Sequence, residues 1–299
     1  MTKEEKDIRI NMNDEEETDE INAEDRPFIR RFGKIMLVLF ISLLAGCYYI
    51  FVVELCIFTV QLLEAKITFL VIFHLLFLLC VWSYLRTVMT PPAVPPAKFR
   101  LSESDKQRYL RAFRYCDICQ LLKPERCHHC PVCDICILKL DHHCVFLNNC
   151  VGFSNYKSFL LCVVYALLLC LFTSAVSLYG SILFWTHQLP NTQSKVPIIV
   201  LFSLSTLCCV MLLLLLGIHC HWAVDNITSR EGESGTWNER YDLGLSKNLR
   251  QVFGDEKKYW FLPVFSSLGD GYTFPMTDAT KDIEKNAAAV AKDITESQN

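Results

Sequence analysis

Charge is nearly absent from four long stretches of this 299-residue chain, and 52% hydrophobic residues with a mean hydropathy of +0.26 exclude an ordinary soluble protein. A net charge of −3, from 29 Lys and Arg against 32 Asp and Glu, is too small to imply a nucleic-acid partner. No internal repeat, ankyrin array or other peptide-binding module is visible, so recruitment of a partner is expected to rest on proximity at a membrane. Within the apolar stretches Glu54 and His74 stand almost alone, with His219 and His221 near one end. That scarcity argues against a transporter, whose pathway needs ionisable groups in the spans.

The apolar runs cover about 32–59, 67–87, 159–185 and 196–223. Each exceeds the roughly 20 residues that ~30 Å of hydrocarbon demands. The first is too long and too far from the N-terminus for a cleaved signal and is expected to stay in the mature protein. Arg26, Arg30, Arg31 and Lys34 precede it and Arg86 ends the second, whereas the link between the two carries only Lys66 against Glu64. Positive flanks face the cytosol, so four spans place both termini and the segment between spans two and three there.

The fold class expected is an α-helical membrane protein with four transmembrane helices and a cytosolic domain between helices 2 and 3. The segments are an acidic, disordered 1–31, helices 1 and 2 over 32–88, a linker and cysteine-rich domain over 89–156, helices 3 and 4 over 157–224, a packing domain over 225–277 and a flexible tail over 278–299. Prolines in 90–96 end the second helix. Tyr109 and Phe113, four apart in 101–114, suggest a short helix leading into the cysteines.

Between Cys116 and Cys150 the chain places eight of its 16 cysteines and four of its eight histidines. Cys116-x2-Cys119 and Cys130-x2-Cys133 are spaced to grip a metal, and His129, Cys136, His143 and Cys150 are placed to complete two tetrahedra. A reducing cytosol argues against disulfides, and Asp117, Gln120, Lys123, Glu125, Arg126 and Asp134 cannot build an apolar core. Two structural zinc ions are therefore expected to supply the folding energy. Sequential and interleaved ligand pairings both fit the spacing.

Asp141-His142-His143-Cys144 joins an acid, two imidazoles and a thiol. Extended, it puts His142 and Cys144 on one face and Asp141 and His143 on the other, so one imidazole can serve a metal and its neighbour the thiol. An adjacent base or cation raises a thiolate fraction, which makes Cys144 a nucleophile candidate with His142 beside it. Asp141 can orient that imidazole as acids do in triads. The bland reading makes Cys144 and His142 further ligands or structural residues. Lys123, Arg126, His128 and Lys139, scattered among the ligands, can meet anionic phosphates, line a solvated face or meet lipid headgroups.

This run, followed by NNCVGFSNYKSF and framed by four spans, resembles the DHHC-type protein S-acyltransferases, or palmitoyltransferases. The resemblance extends to TPPAVPPAKFRLSESDKQRYL and to LSKNLRQVFGDEKKYWFLPVFSSLGDGYTFP, which look most like a small animal subgroup without ankyrin repeats. It implies interleaved zinc sites, Cys116, Cys119, His129 and Cys136 in one and Cys130, Cys133, His143 and Cys150 in the other. It also implies Cys144 as nucleophile, His142 as its base and Asp141 as the orienting acid. Long-chain acyl-CoA would be the co-substrate, with Lys123, Arg126, His128 and Lys139 as headgroup candidates and Phe146, Phe159 and Leu169 as acyl-cavity candidates. Acceptors would be membrane-proximal cytosolic cysteines of other proteins, and the compartment an endomembrane, Golgi or plasma membrane. Thr228, Ser229 and Glu231 stand where the family has Thr-Thr-x-Glu, and Asn248 matches its C-terminal element. Two departures are Val145-Phe146, where the family usually has Pro-Trp, and Thr90-Pro91-Pro92, where it has Asp-Pro-Gly; rate or lipid preference can differ accordingly. The alternative function is a non-catalytic zinc-containing membrane scaffold.

Overall fold

The computed structural model describes residues 25–101, 114–186, 196–233 and 239–277. The acidic stretch up to residue 24, most of the helix expected over 101–114 and the tail from 278 lie outside the described residues. Four helices are long and apolar enough to cross a membrane: Arg26–Thr59, Leu63–Met89, Tyr156–Trp185 and Val196–Val224.

The first begins six residues ahead of the apolar run. Pro27 suits a helix start because its missing N–H would have no partner there, and Arg26 and Arg30 are held by the cysteine-rich domain. Arg26 pairs with Asp134 at 2.5 Å and Arg30 Nε donates to Val132 O at 2.7 Å. This helix is α1 over Arg26–Tyr49 and continues as a π-helix over Ile50–Thr59. The wider turn closes with Val60 N on Leu55 O at 3.0 Å. It buries Phe51, Leu55 and Cys56, and Phe51 stacks on Phe73 of α2 (Leu63–Met89) at 4.1 Å. His74 is satisfied by Tyr48 at 3.0 Å and by Leu70 O at 2.7 Å, as a polar group among spans must be.

The cysteine-rich domain is three separate antiparallel hairpins: β1 (Tyr115–Cys116) with β2 (Leu121–Leu122), β3 (His128–Cys130) with β4 (Ile135–Ile137), and β5 (His142–Cys144) with β6 (Asn149–Val151). Isolated two-stranded sheets are marginal in water, so something besides the ladders must hold them. Asparagines attach the third hairpin to the end of α2. Asn149 Nδ2 donates to the α2-end carbonyls of Thr87, Val88 and Thr90 at 3.0–3.2 Å. Fully buried Asn155 bonds Thr87 O at 3.3 Å and Cys150 O at 2.9 Å.

The third and fourth spans are α3 (Tyr156–Trp185) and α4 (Val196–Val224). Two buried clusters lie along them. One joins Phe51, Phe73, Leu161, Tyr165, Leu169 and Leu201; the other, nearer the hairpins, joins Tyr84, Val151, Tyr156, Phe159 and Val252. After α4 come the short α5 (Ser229–Glu233) and the amphipathic α6 (Leu245–Phe253). Asn248, fully buried, donates to Val224 O and Asp242 Oδ1, each at 2.6 Å, and accepts from Leu243 N at 2.9 Å. It thereby satisfies a terminal carbonyl of α4 while seating α6. Lys157 donates to Tyr259 O at 2.6 Å and Tyr165 to Phe261 O, which fastens the tail to α3.

Candidate active site and metal centres

Two groups of four ligands form between the hairpins: Cys116, Cys119, His129 and Cys136, and Cys130, Cys133, His143 and Cys150. The two knuckles are built alike. Gln120 N bonds Cys116 O and Asp134 N bonds Cys130 O, each at 2.8 Å, and both Gln120 and Asp134 adopt positive φ, 55° and 61°. Polar side chains tolerate this left-handed turn better than branched ones do. His129 Nδ1 lies 3.6, 3.4 and 4.0 Å from the sulfurs of Cys116, Cys119 and Cys136. His143 Nδ1 lies 3.7, 3.4 and 3.3 Å from those of Cys130, Cys133 and Cys150. A tetrahedral zinc with ordinary bond lengths requires N to S edges of about 3.6 Å, so both sets fit a metal of that size. The pairing is interleaved, because β3 supplies a ligand to each set: His129 and Cys130 point to opposite faces of one strand.

The same alternation divides β5. His143 faces the second metal set, and His142 faces the other way, on the strand face that Cys144 shares. His142 Nδ1 meets Asp141 Oδ2 at 2.8 Å. The alternation expected in the sequence would turn Asp141 away, but Asp141 precedes the strand and its side chain bends back to its neighbour. Burial opposes a charged imidazole at His142, yet the hydrogen bonds and charges of Asp141 and Cys144 outweigh it and lift its pKa to about 9. Asp141 is 1% exposed; burial raises its pKa, but the His142 hydrogen bond and nearby imidazole charges prevail and hold it below the usual carboxylate range.

Asp141 is gripped from the chain beyond α4. Ser229 N donates to its Oδ1 at 2.9 Å and Ser229 Oγ to its carbonyl at 2.6 Å. Ser229 is placed by a reciprocal cap at the start of α5: Thr228 N donates to Glu231 Oε2 at 2.8 Å, and Glu231 N to Thr228 Oγ1 at 3.3 Å. Glu231 also receives a two-pronged bond from Arg126, Nε to Oε1 at 2.7 Å and Nη2 to Oε2 at 2.6 Å. Arg126 is 3% exposed, donates to Asn226 O at 2.7 Å and lies over the rings of Tyr241 and Phe274. Asn226 accepts from Lys139 at 3.1 Å, and burial with the Arg126 charge pulls the Lys139 pKa down to about 7.

The four residues expected to meet a headgroup are thus divided. Arg126 and Lys139 point into the buried cluster that carries Glu231, whereas Lys123 and His128 lie half-buried outside it. Burial, followed by the charges of Arg114, Arg230, Lys123 and Arg126, holds the His128 pKa well below its usual value. Of the apolar candidates, Phe159 packs edge-on to His142 with ring centres 5.3 Å apart, and Leu169 follows ten residues along α3, about 15 Å deeper at 1.5 Å per residue. Phe146 is 58% exposed, and its carbonyl accepts from Tyr84 at 3.2 Å.

The sequence reading gave no role in the site to His219 or Arg114. His219 Nδ1 lies 3.9 Å from Asp141 Oδ2. Its only signal was its place, with His221, at the end of an apolar run, which without a fold has no address.

The profile of the DHHC palmitoyltransferase family matches residues 111–235. Palmitoyltransferase ZDHHC2 of Homo sapiens is 46% identical over 282 residues, covering 83% of this chain and 77% of its own. ZDHHC2 of Danio rerio is 46% identical over 83% of this chain and 78% of its own, and ZDHHC20 of Bos taurus 45% identical over 87% and 83%. With four membrane-capable helices and two four-ligand clusters in the hairpins between the second and third, the chain is an integral multi-pass membrane protein, and it belongs to the DHHC palmitoyltransferases, the protein S-palmitoyltransferase family.

Proposed function

We propose that this protein moves a long-chain acyl group, palmitoyl above all, from acyl-CoA to cysteines of membrane-associated proteins through an acyl-enzyme on Cys144. The observation that carries this reading is the His142–Asp141 bond, with the acid buried and the Cys144 thiol on the same strand face as His142 and set against the apolar cluster that contains Phe159. In the first half-reaction the Cys144 thiolate attacks the thioester carbonyl carbon, the bond to the CoA sulfur breaks, and the departing thiolate takes the proton from His142. In the second, His142 removes the proton of an acceptor cysteine, whose sulfur attacks the acyl-enzyme and releases the Cys144 thiolate. One thioester replaces another in each half, so no ATP is consumed.

The metal in both four-ligand sets is zinc in this reading, and its part is structural: it holds hairpins too small to fold by themselves. Lys123 and Arg114 supply the charge for a phosphate-facing role, with His128, 3.5 Å from Arg114, held neutral between them. Arg126 and Lys139 serve instead to brace the Glu231 turn. Phe159 and Leu169 lie along the path an acyl chain would take beside α3, and Phe146 faces outward beside the thiol. Each buried methylene contributes roughly 0.8 kcal/mol, so a long chain stays in hydrocarbon while its thioester rests at the interface. The positive flanks of α1 and α2 support cytosolic termini in an endomembrane, Golgi or plasma membrane.

Purified, zinc-replete protein given palmitoyl-CoA should form a hydroxylamine-labile adduct on Cys144 that Cys144→Ser abolishes. Absence of that adduct in the wild type would favour a zinc-containing scaffold.

A further inference from the structure

His219 is 2% exposed, on α4 near its hairpin-facing end. Apolar surfaces enclose its ring: Phe159 stands edge-on at 4.9 Å and Trp222 at 5.0 Å between ring centres. A buried imidazole needs polar company. Its Nδ1 meets the Tyr156 hydroxyl at 3.4 Å and Asp141 Oδ2 at 3.9 Å, and the His142 ring lies 5.8 Å away between centres. That carboxylate oxygen is the one His142 bonds at 2.8 Å, and the other oxygen is held by Ser229 N. The Asp141 carboxylate therefore has neighbours from three directions: its own hairpin, the turn after α4, and α4 itself.

We propose that His219 is a positioning residue for acyl transfer, holding the Asp141 carboxylate from the membrane side so that Oδ2 stays aimed at His142. The inference rests on Cys144, His142 and Asp141 acting as read above. Its consequence is a coupling between docking and chemistry. Asp141 belongs to the hairpin domain and His219 to a span, so the contact exists only while the domain is seated on the helices. Without it, Ser229 and His142 alone must keep a side chain from rotating about its last bond. At 3.9 Å the contact is electrostatic and short of a direct hydrogen bond, so its loss should slow the reaction without abolishing it.

The test is a cycle on the full-length, two-zinc protein in detergent, reading the single-turnover rate of acyl-enzyme formation from palmitoyl-CoA. His219→Leu should lower the rate about tenfold and leave the half-saturating acyl-CoA concentration within about twofold, and His219→Gln, which retains an N–H, should recover most of the rate. In an Asp141→Asn background His219→Leu should change the rate by less than about twofold, because its effect passes through the acid. An equal loss in both backgrounds, or a loss confined to half-saturation, overturns the proposal. If His219→Leu does not retain two zinc ions, the same cycle with His219→Asn decides. Cys144→Ser runs alongside: labelling that survives it sinks the Cys144 reading itself, whereas its loss together with an additive cycle sinks only the role given to His219.

Discussion

Glu231→Ala is the most informative single change outside the reacting groups, because it leaves the Arg126 guanidinium buried without its counter-ion. The Arg126 side chain is 1% exposed and that of Glu231 16%, and two charge-assisted bonds of 2.7 and 2.6 Å join them. Removing one partner of a buried pair costs about 3–5 kcal/mol, most of it the penalty on the charge left behind. Arg126 keeps its bond to Asn226 O and its place over the Tyr241 and Phe274 rings, so the lower end, about 3 kcal/mol, is expected. The same substitution removes the acceptor for Thr228 N and loosens the turn that presents Ser229 N to Asp141. A hydrogen bond to a charged group contributes about 1.5–3 kcal/mol, so acyl-enzyme formation should fall by about tenfold to a hundredfold if that bond is lost. The assays are guanidinium unfolding in detergent followed by tryptophan fluorescence, and single-turnover labelling with palmitoyl-CoA. Arg126→Met combined with Glu231→Ala should recover part of the stability, since the stranded charge is gone. A cost for Glu231→Ala below about 1 kcal/mol, or a double variant as unstable as the sum of the singles, refutes the description of a buried, mutually dependent pair.

The same pair predicts a pH dependence. Burial would raise the Glu231 pKa, but the Arg126 charge and hydrogen bonds hold it low; its stabilisation is complete above the unfolded value of about 4.3 and is lost as pH falls through the depressed folded value. The stability gap between wild type and Glu231→Ala should therefore shrink on acidification, and a gap that widens contradicts the sign. Cys133→Ser should lower bound zinc from about two ions per chain to about one, while Cys127→Ser, outside both ligand sets, should leave it unchanged by metal analysis. Asn149→Ala deprives three α2 carbonyls of their shared donor and should cost about 1–3 kcal/mol in the same unfolding assay. Leu169→Phe adds bulk to the buried cluster ten residues along α3 from Phe159 and, with the acyl chain lying along that helix, should shift an acyl-CoA competition series from myristoyl to arachidoyl towards the shorter chains; an unchanged series removes Leu169 from the acyl path.

What the sequence determined by itself was whatever depends on neighbours along the chain. Spans are legible because about 20 apolar residues in a row have one stable destination, and metal knuckles because a Cys-x2-Cys pair needs only one tight turn. The opposite facing of His142 and His143 likewise follows from strand alternation. Three matters waited for tertiary structure. Spacing left the ligand pairing open; placing His129 and Cys130 on opposite faces of one strand resolved it into two interleaved sets. Arg126 and Lys139 had the same local charge pattern as Lys123, and only the approach of Glu231 and Asn226 from beyond α4 distinguished them. The Asp141 carboxylate is set by Ser229 from the turn after α4 and approached by His219 from α4 itself. Such contacts are invisible to periodicity because their partners are brought together by the packing of spans, not by the rise of a strand or the pitch of a helix.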